Sequence, residues 1–532
     1  MALQGGRAHA GTRLPLLDLP PGILSDHIIP RLPRAARAAL SLACAALRRA
    51  VSAGVRALAF HGGSCCLASQ HALHAVFPGV ESLTFTPSNL HEAMNVVPTL
   101  VMTVGQGLPH VAHVALLDRL PDDSGERRKC RDCNAWCSTY DLAAIVFTIH
   151  GCLGPRLRAF EFETHYVSEA ETLAIGNMTA LTSLRCSSPH GLSPGGLAAM
   201  RGLTALRRLE LFNAPRSYTD ADMDAVAGMR MLTRLALGGG AGAPGALLRR
   251  IAPGGGADGG AGGGGGGADG GGGGAAEGDE GGVELLELEV AFEWLPVANE
   301  GLVEDIARLT TLTALTIAWP GQAAIVGGAA RRCPLRSCSC LSSLAALTGL
   351  RQLSAGWPAD AAVFDALATL GSLTAVTLGT LPLDQPPPGG PAARLPRVAS
   401  LTAASPLGAA PLHAPQWAGG APPRAERQRQ TGADGSHTAR WVAALCAFPN
   451  LESLTLDTVA ASRDSLLALP RAAPRLRELL LPPRLLLGAG AGALEGLGAL
   501  SALTRLRVGW KSALHEGPPQ DYLEVGGMRS GV

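Results

Sequence analysis

At 532 residues the chain is long enough for several domains or for one long repeat array. Hydrophobic residues make up 47%, charged residues only 16% and aromatics 4%, so the core has to be aliphatic. With 44 basic residues against 43 acidic ones and a net charge of +1, neither a nucleic-acid binder held by a broad basic face nor an acidic disordered chain is expected.

Lysine is nearly absent: Lys129 and Lys511 are the two in the chain. Neither stands in the G-x-x-x-x-G-K-[ST] context that a P-loop needs to cradle phosphates, and a Schiff-base lysine has only these two candidates. The first residues lack a charged start followed by an apolar run, and no stretch reaches 18 consecutive apolar residues. Neither a secretory signal nor a membrane span is therefore expected. A cytoplasmic or nuclear setting follows, with the 12 cysteines mostly as thiols.

Residues 14–55 come first in chain order. Two Leu-Pro pairs, Leu19-Pro20 and Leu32-Pro33, bracket a short apolar helix carrying Ile23, Leu24, Ile28 and Ile29. A second helix follows with Leu40, Leu42, Cys44 and Leu47 apolar. Proline suits a helix start, where its missing N–H would lack a partner anyway. A helical unit this small needs a partner or a neighbouring domain for stability.

From residue 56 the pattern L-x-x-L-x-L recurs. Clear copies are Leu181–Cys186, Leu206–Leu211, Leu232–Leu237, Leu312–Ile317, Leu373–Leu378, Leu451–Leu456, Leu476–Leu481 and Leu503–Val508. Weaker copies start at Val80, Val111, Leu157, Leu285 and Leu350. Successive starts from 157 to 232 step by 24, 25 and 26 residues. L-x-L has period two and places its leucines on one side of a short strand, and a helical pattern follows it. One strand and one helix cannot bury their own apolar face, whereas stacked copies can. The fold class expected is α/β: a solenoid with parallel strands on its concave face, helices on its convex face, a small all-α unit in front and disordered insertions.

The irregular steps divide the array. Repeats are expected over 56–245, with a cysteine-bearing insertion near 119–141, then over 283–380 and 441–512. The glycine-rich run 253–282 and the Pro/Ala/Gly-rich stretch 381–440 read as disordered insertions, and 513–532 as a tail.

Over roughly residues 78–512 the chain resembles the leucine-rich-repeat family, whose copies run 20–29 residues. Residues 14–55 resemble the F-box at Leu19, Pro20, Ile23, Leu24, Ile28, Leu32, Pro33, Leu40, Leu42, Cys44 and Arg48. They depart from it where Pro21-Gly22 and Arg34–Arg37 replace acidic residues and Leu47 replaces a tryptophan. The pairing implies a non-enzymatic substrate receptor of an SCF-type cullin–RING ubiquitin ligase, with no cofactor. Leu19 through Leu47 would dock a Skp-type adaptor with its cullin complex, and the repeats would hold a protein target. The other reading of 14–55 is the polar-backed cap that a solenoid end needs. The chain would then be a scaffold without ligase attachment, for example on a cytoskeletal or ciliary assembly.

Alternation places Arg208, Glu210 and Phe212 outward on one strand and Arg185 on the one before, with Arg234 next in repeat order. Arg185, Arg208 and Arg234 could form an anion site, although solvated arginines in an arginine-biased chain are the plainer reading. Trp319, Trp357 and Trp510 share the eighth position of their copies. Exposed tryptophan is a frequent binding hot spot, yet a recurring position equally suits closure of the strand-to-helix turn. Cys130-x-x-Cys133-x-x-x-Cys137, with Cys152 and His150 nearby, has spacing that could hold zinc, against the plainer reading of unbound thiols. His91-Glu92 lacks the second histidine of H-E-x-x-H, and Gly488-x-Gly490-x-x-Ala493 lies outside any βαβ unit.

Overall fold

The computed structural model describes residues 31–33, 35–37, 52, 54–61, 76–87, 97–117, 127–129, 136–138, 143–164, 166–188, 191–212, 218–238, 244–252, 283–291, 301–318, 343–358, 361–380, 395–403, 442, 445–456, 463–481, 497–508 and 523–526. The chain divides into two compact units, Met1–Leu206 and Arg207–Val532.

In the first unit, β1 (Ala57–His61), β2 (Ser82–Thr86) and β3 (His113–Leu116) are followed by a small antiparallel hairpin, β4 (Arg127–Lys129) and β5 (Trp136–Ser138). The main sheet continues with β6 (Ala159–Glu163) and β7 (Ser183–Ser187), and its five strands are all parallel. Helices Val97–Gly107, Ala143–Leu153, Glu169–Gly176 and Gly196–Ala199 lie between strands and pack on one another in sequence order.

In the second unit, ten parallel strands follow in order. They are β8 (Arg208–Phe212), β9 (Arg234–Gly238), β10 (Glu287–Ala291), β11 (Ala314–Ala318), β12 (Gln352–Pro358), β13 (Ala375–Thr380), β14 (Ser400–Ala403), β15 (Ser453–Leu456), β16 (Glu478–Leu481) and β17 (Arg505–Val508). A last strand, β18 (Leu523–Gly526), pairs antiparallel with β17. Helices Asp220–Ala227, Pro244–Ile251, Gly301–Ala307, Ala361–Ala368 and Arg463–Ala472, or the 3-10 turns Leu344–Ala346 and Leu445–Ala447, connect these strands. Among the described residues no helix is long and apolar enough to cross a membrane.

The leucine-rich motif dictates this arrangement. Its first, fourth and sixth residues enter the core: Leu206, Leu209 and Leu211 in one copy and Leu451, Leu454 and Leu456 in another are all buried. Of the residues between them, the third and fifth lie on the opposite face of the sheet, half-exposed at Arg208, Ser453 and Thr455 and buried at Glu210. Burying a leucine is worth about 1.5–3 kcal/mol, and each repeat buries three on its strand side before its helix contributes. Aromatics replace leucine where the first unit begins, and Phe60 stacks on Phe85 with ring centroids 5.3 Å apart.

Between strands the chain turns tightly. The N–H of Leu181 donates to the carbonyl of Met178 (2.9 Å), and the same bond closes Leu203–Leu206, Met229–Leu232 and Leu347–Leu350. Two helices begin with reciprocal caps. Ser168 accepts from the Glu171 N–H while its own N–H donates to the Glu171 carboxylate, and Thr219 and Asp222 repeat the arrangement. At Gly176 a Cβ would collide with the carbonyl of Ala199, so consecutive connections approach more closely there than any side chain permits.

Two copies of the motif, on β1 and β14, were not recognised from sequence. β1 uses Val55-x-x-Leu58-x-Phe60, and β14 uses Val398-x-x-Leu401-x-Ala403. The expectation of a disordered insertion over 381–440 is corrected at 395–403. There β14 takes full register with β13 on one side and β15 on the other. Valine and alanine stand for two of the three leucines, and the surrounding Pro/Ala/Gly bias hides the copy. The expected tail likewise holds β18. The run 253–282 and the rest of 381–440 lie outside the described residues.

Leu401 and Leu209 are both fully buried, so Leu401→Ala and Leu209→Ala should each cost about 2–5 kcal/mol. Thr219→Ala, which removes only a cap, should cost about 1 kcal/mol. Equilibrium denaturation measures all three, and a Leu401 variant as stable as the parent chain would remove β14 from the fold.

Candidate functional site

The sheet face opposite the leucines carries two rows of side chains, from the third and fifth motif positions. In the first unit the third-position row is Ala57, Ser82, His113, Ala159 and Ser183, and the fifth-position row is Ala59, Thr84, Ala115, Glu161 and Arg185. Ser82 Oγ lies 3.0 Å from His113 Nδ1. Arg185 Nη1 lies 3.1 Å from Glu161 Oε1. Burial holds the His113 imidazole below its ordinary pKa, and the Glu161 carboxylate offsets part of that shift. A serine beside a histidine suggests acyl transfer, but that chemistry needs N–H donors aimed at a developing oxyanion. The backbone N–H groups of these strands run within the sheet to neighbouring carbonyls. The cluster is a polar patch on the open face of the first unit.

In the second unit the rows run across ten strands in register. One end is charged. Glu210 is almost fully buried, with its Oε1 2.6 Å from Arg208 Nη2 and 3.2 Å from Arg234 Nε. Arg234 also reaches Glu287 at 2.9 Å and Glu289 at 3.7 Å. Burial opposes the charge on Arg234, and the three carboxylates more than offset it, so its pKa is raised. Sequence reasoning put Glu210 outward on this face, where it does lie, and the two arginines cover it. Arg185, Arg208 and Arg234, singled out as an anion site, are each held by carboxylates. At the β8–β10 end, two guanidinium groups face three carboxylates.

The middle of the face is neutral. Thr316, Ser354, Thr377, Thr402 and Thr455 stand in register on five consecutive strands, β11 to β15, each half-buried. Ser400 and Ser453 add a second hydroxyl row on β14 and β15. Beyond them, β16 places Glu478 and Leu480 and β17 places Arg505 and Arg507 on the same face. A cavity of about 210 Å³ opens here between the four hydroxyls of Ser400, Thr402, Ser453 and Thr455 and the two arginines. Arg505 Nη1 sits 3.7 Å from Glu478 Oε1.

The other residues singled out from sequence scatter. Phe212 is half-exposed at the end of β8, and Trp357 lies in β12. Trp319 and Trp510 lie outside the described residues. Cys137 lies in β5 opposite Arg128, and Cys152 is half-exposed on helix Ala143–Leu153. Cys130 and Cys133 lie outside the described residues. Among those described, no group of three His, Cys, Asp or Glu side chains could hold a metal ion. Leu32 is half-exposed and Pro33 exposed, and the Pro33 carbonyl accepts the N–H of Arg37 (3.0 Å), the start of a helical turn after the second Leu-Pro pair. Leu19, Pro20, Ile23, Leu24, Ile28, Leu40, Leu42, Cys44 and Leu47 lie outside the described residues. His113 with Ser82, and the cavity beside β14, escaped sequence reasoning. A histidine at a third motif position was the available signal for the first, and the unrecognised β14 concealed the second.

No family model matches this chain, and no curated protein is similar to it. Among solved structures, a leucine-rich-repeat protein of Leptospira interrogans is similar at 10% identity, covering 86% of this chain and 91% of that one, with a TM-score of 0.33. An internalin of Listeria monocytogenes is similar at 13% identity, covering 88% and 92%, with a TM-score of 0.28. The yeast complex of Rad7 and Elc1 is similar at 15% identity, covering 76% of each chain, with a TM-score of 0.30.

Because burial lowers the folded-state pKa of His113, the histidine binds its proton more readily in the unfolded chain. Stability should therefore fall as pH drops below about 6.5 towards the folded-state value, and the loss should saturate beneath it. NMR titration of the imidazole should give a midpoint below 6.5, moved lower again by Glu161→Gln. A midpoint at or above 6.5 would contradict the packing described.

Proposed function

We propose that the chain is a protein-binding receptor without catalytic chemistry of its own, the substrate-recognition subunit of an SCF-type cullin–RING ubiquitin ligase. One observation carries the binding half: a face of ten parallel strands in register, with small polar and charged side chains standing on it. At about 4.8 Å per strand that face is on the order of 40 Å long, which suits a polypeptide surface better than a metabolite. The attachment half rests on the F-box resemblance of residues 14–55 and is supported by the half-exposed Leu32 and exposed Pro33 heading a helical turn. The mechanism is positional. The N-terminal unit docks the Skp-type adaptor, the repeats hold the target, and a target lysine gains effective concentration near a charged ubiquitin-conjugating enzyme.

Full-length chain should retain a purified Skp-type adaptor in a pull-down, and the Leu32→Ala/Pro33→Ala variant should lose most of that binding. If neither protein binds, residues 14–55 are the cap of a scaffold protein, and the ligase assignment fails while the binding face stands.

A further inference from the structure

In the first unit, helices Val97–Gly107 and Ala143–Leu153 pack against each other, and neither contains an aspartate, glutamate, lysine or arginine. A surface helix ordinarily keeps charged residues on its outer side, and a helix apolar all round is ordinarily covered. Here Met102 is 51% exposed on the first helix and Phe147 48% exposed on the second. Leu173, 49% exposed, follows on helix Glu169–Gly176, which packs on the second. Exposed apolar side chains on three successive helices mark a contact surface.

Along Ala143–Leu153 the outward stripe is Ala144, Phe147, Thr148 and Gly151, set on one side by their i, i+3, i+4 and i+7 spacing. Thr148 donates its hydroxyl to the Ala144 carbonyl (2.7 Å), so the one hydroxyl of the stripe is engaged inside the helix. A Cβ added at Gly151 would meet no atom within 4 Å beyond its own turn of helix, and its backbone is not left-handed. Nothing within the chain therefore requires glycine there. An interior helical glycine is less favourable than alanine, and its bare backbone is of use where another molecule approaches closely.

We propose that this helical face is a homodimer surface. A second copy of the chain packs its own Ala143–Leu153 helix antiparallel about a two-fold axis, and Phe147 of each copy fills the space over Gly151 of the other. Three observations select a second copy as the occupant. A large side chain one turn from an open glycine is self-complementary under a two-fold, because each copy offers both knob and hole. The two central helices carry no carboxylate, lysine or arginine, so identical faces meet without like-charge repulsion between those groups. Neighbouring helices about 16 Å long and about 9 Å apart present on the order of 500 Å² over three helices, and the resulting pair buries about 1,000 Å², the size of a weak and reversible association. The contact lies on the helix side of the unit and leaves its open strand face uncovered.

The test is sedimentation velocity on the full-length chain over a concentration series. The average mass should rise reversibly from one chain towards two, with a dissociation constant on the order of micromolar. Phe147→Glu and Gly151→Leu should each weaken association by about tenfold or more. Gly151→Leu enters open space, so its thermal unfolding should not fall below that of the parent chain. The exchanged pair Phe147→Ala/Gly151→Phe trades knob for hole and should recover association. Met231→Ser, at an exposed apolar site of the second unit, should leave it unchanged. If Phe147→Glu fails to fold, Gly151→Leu and the exchanged pair decide. A chain that stays monomeric throughout the series would overturn the proposal, as would a dimer indifferent to Phe147→Glu and Gly151→Leu. A monomer that binds phosphatidylcholine vesicles and loses that binding in Phe147→Glu would assign the face to a membrane surface instead. None of these readouts involves the adaptor, so they stand apart from the ligase assignment.

Discussion

In repeat after repeat within each unit, the carbonyl of the second motif residue accepts two N–H groups from the repeat that follows. Arg158 takes those of Thr182 and Ser183 at 2.8 and 3.0 Å, Thr233 those of Leu286 and Glu287, and Glu452 those of Arg477 and Glu478. A carbonyl oxygen has two lone pairs, so one acceptor can satisfy both donors just before the strand begins. Where the second residue is threonine, its hydroxyl adds a third donor: Thr182 to Arg158, Thr313 to Leu286, Thr374 to Arg351 and Thr504 to Arg477. This staple specifies register through the backbone, alongside the packing of the leucines. A slip of one residue would turn every leucine to the open face, and the doubled acceptor, together with the apolar penalty, excludes it.

Register in turn makes the open face. Because equivalent positions fall in line, a residue type repeated at one motif position becomes a row. Thr316, Ser354, Thr377, Thr402 and Thr455 form one such row, which Glu210, Ala236 and Glu289 begin on β8 to β10, with Arg208, Arg234 and Glu287 in the row beside it. Glu210 shows the cost of charge on a crowded face: it is buried, and it is tolerable because Arg208 and Arg234 both reach it. Removing either arginine would leave a carboxylate short of partners. Short hydroxyls over the middle strands avoid that difficulty.

Much of this was legible in the sequence. Period two in the leucines and the spacing of about 25 residues lead directly to parallel strands with intervening helices, and the clear copies fall on strands where expected. Two copies were missed: β14, where alanine takes the sixth position inside a Pro/Ala/Gly-biased stretch, and β1, Val55-x-x-Leu58-x-Phe60, although the same letters were read as a copy at Val80-x-x-Leu83-x-Phe85; the core accepts any apolar residue of suitable size. The buried residue three places before each copy, such as Met178, Leu203, Met229 and Leu347, was an unused signal. At Leu395-x-x-Val398 it would have exposed β14. The site was less legible. Sequence order placed three arginines near one another and Glu210 on the same strand face as Arg208, but not the ion pairs between them, since Glu287 lies 53 residues beyond Arg234. The cavity beside β17 depends on β14 and so was hidden with it.

Hydrogen exchange on the full-length chain tests the staple most directly, at the segment the sequence conceals. The N–H groups of Ala399 and Ser400 donate to Thr374 at 2.8 and 3.1 Å, and those of Glu452 and Ser453 donate to Ala399. Protection over 399–403 should match that over 375–378 and 453–456, because three consecutive strands share one ladder. Exchange at 399–403 as fast as in an unfolded chain, with its neighbours protected, would contradict the continuous ladder and the open face built on it.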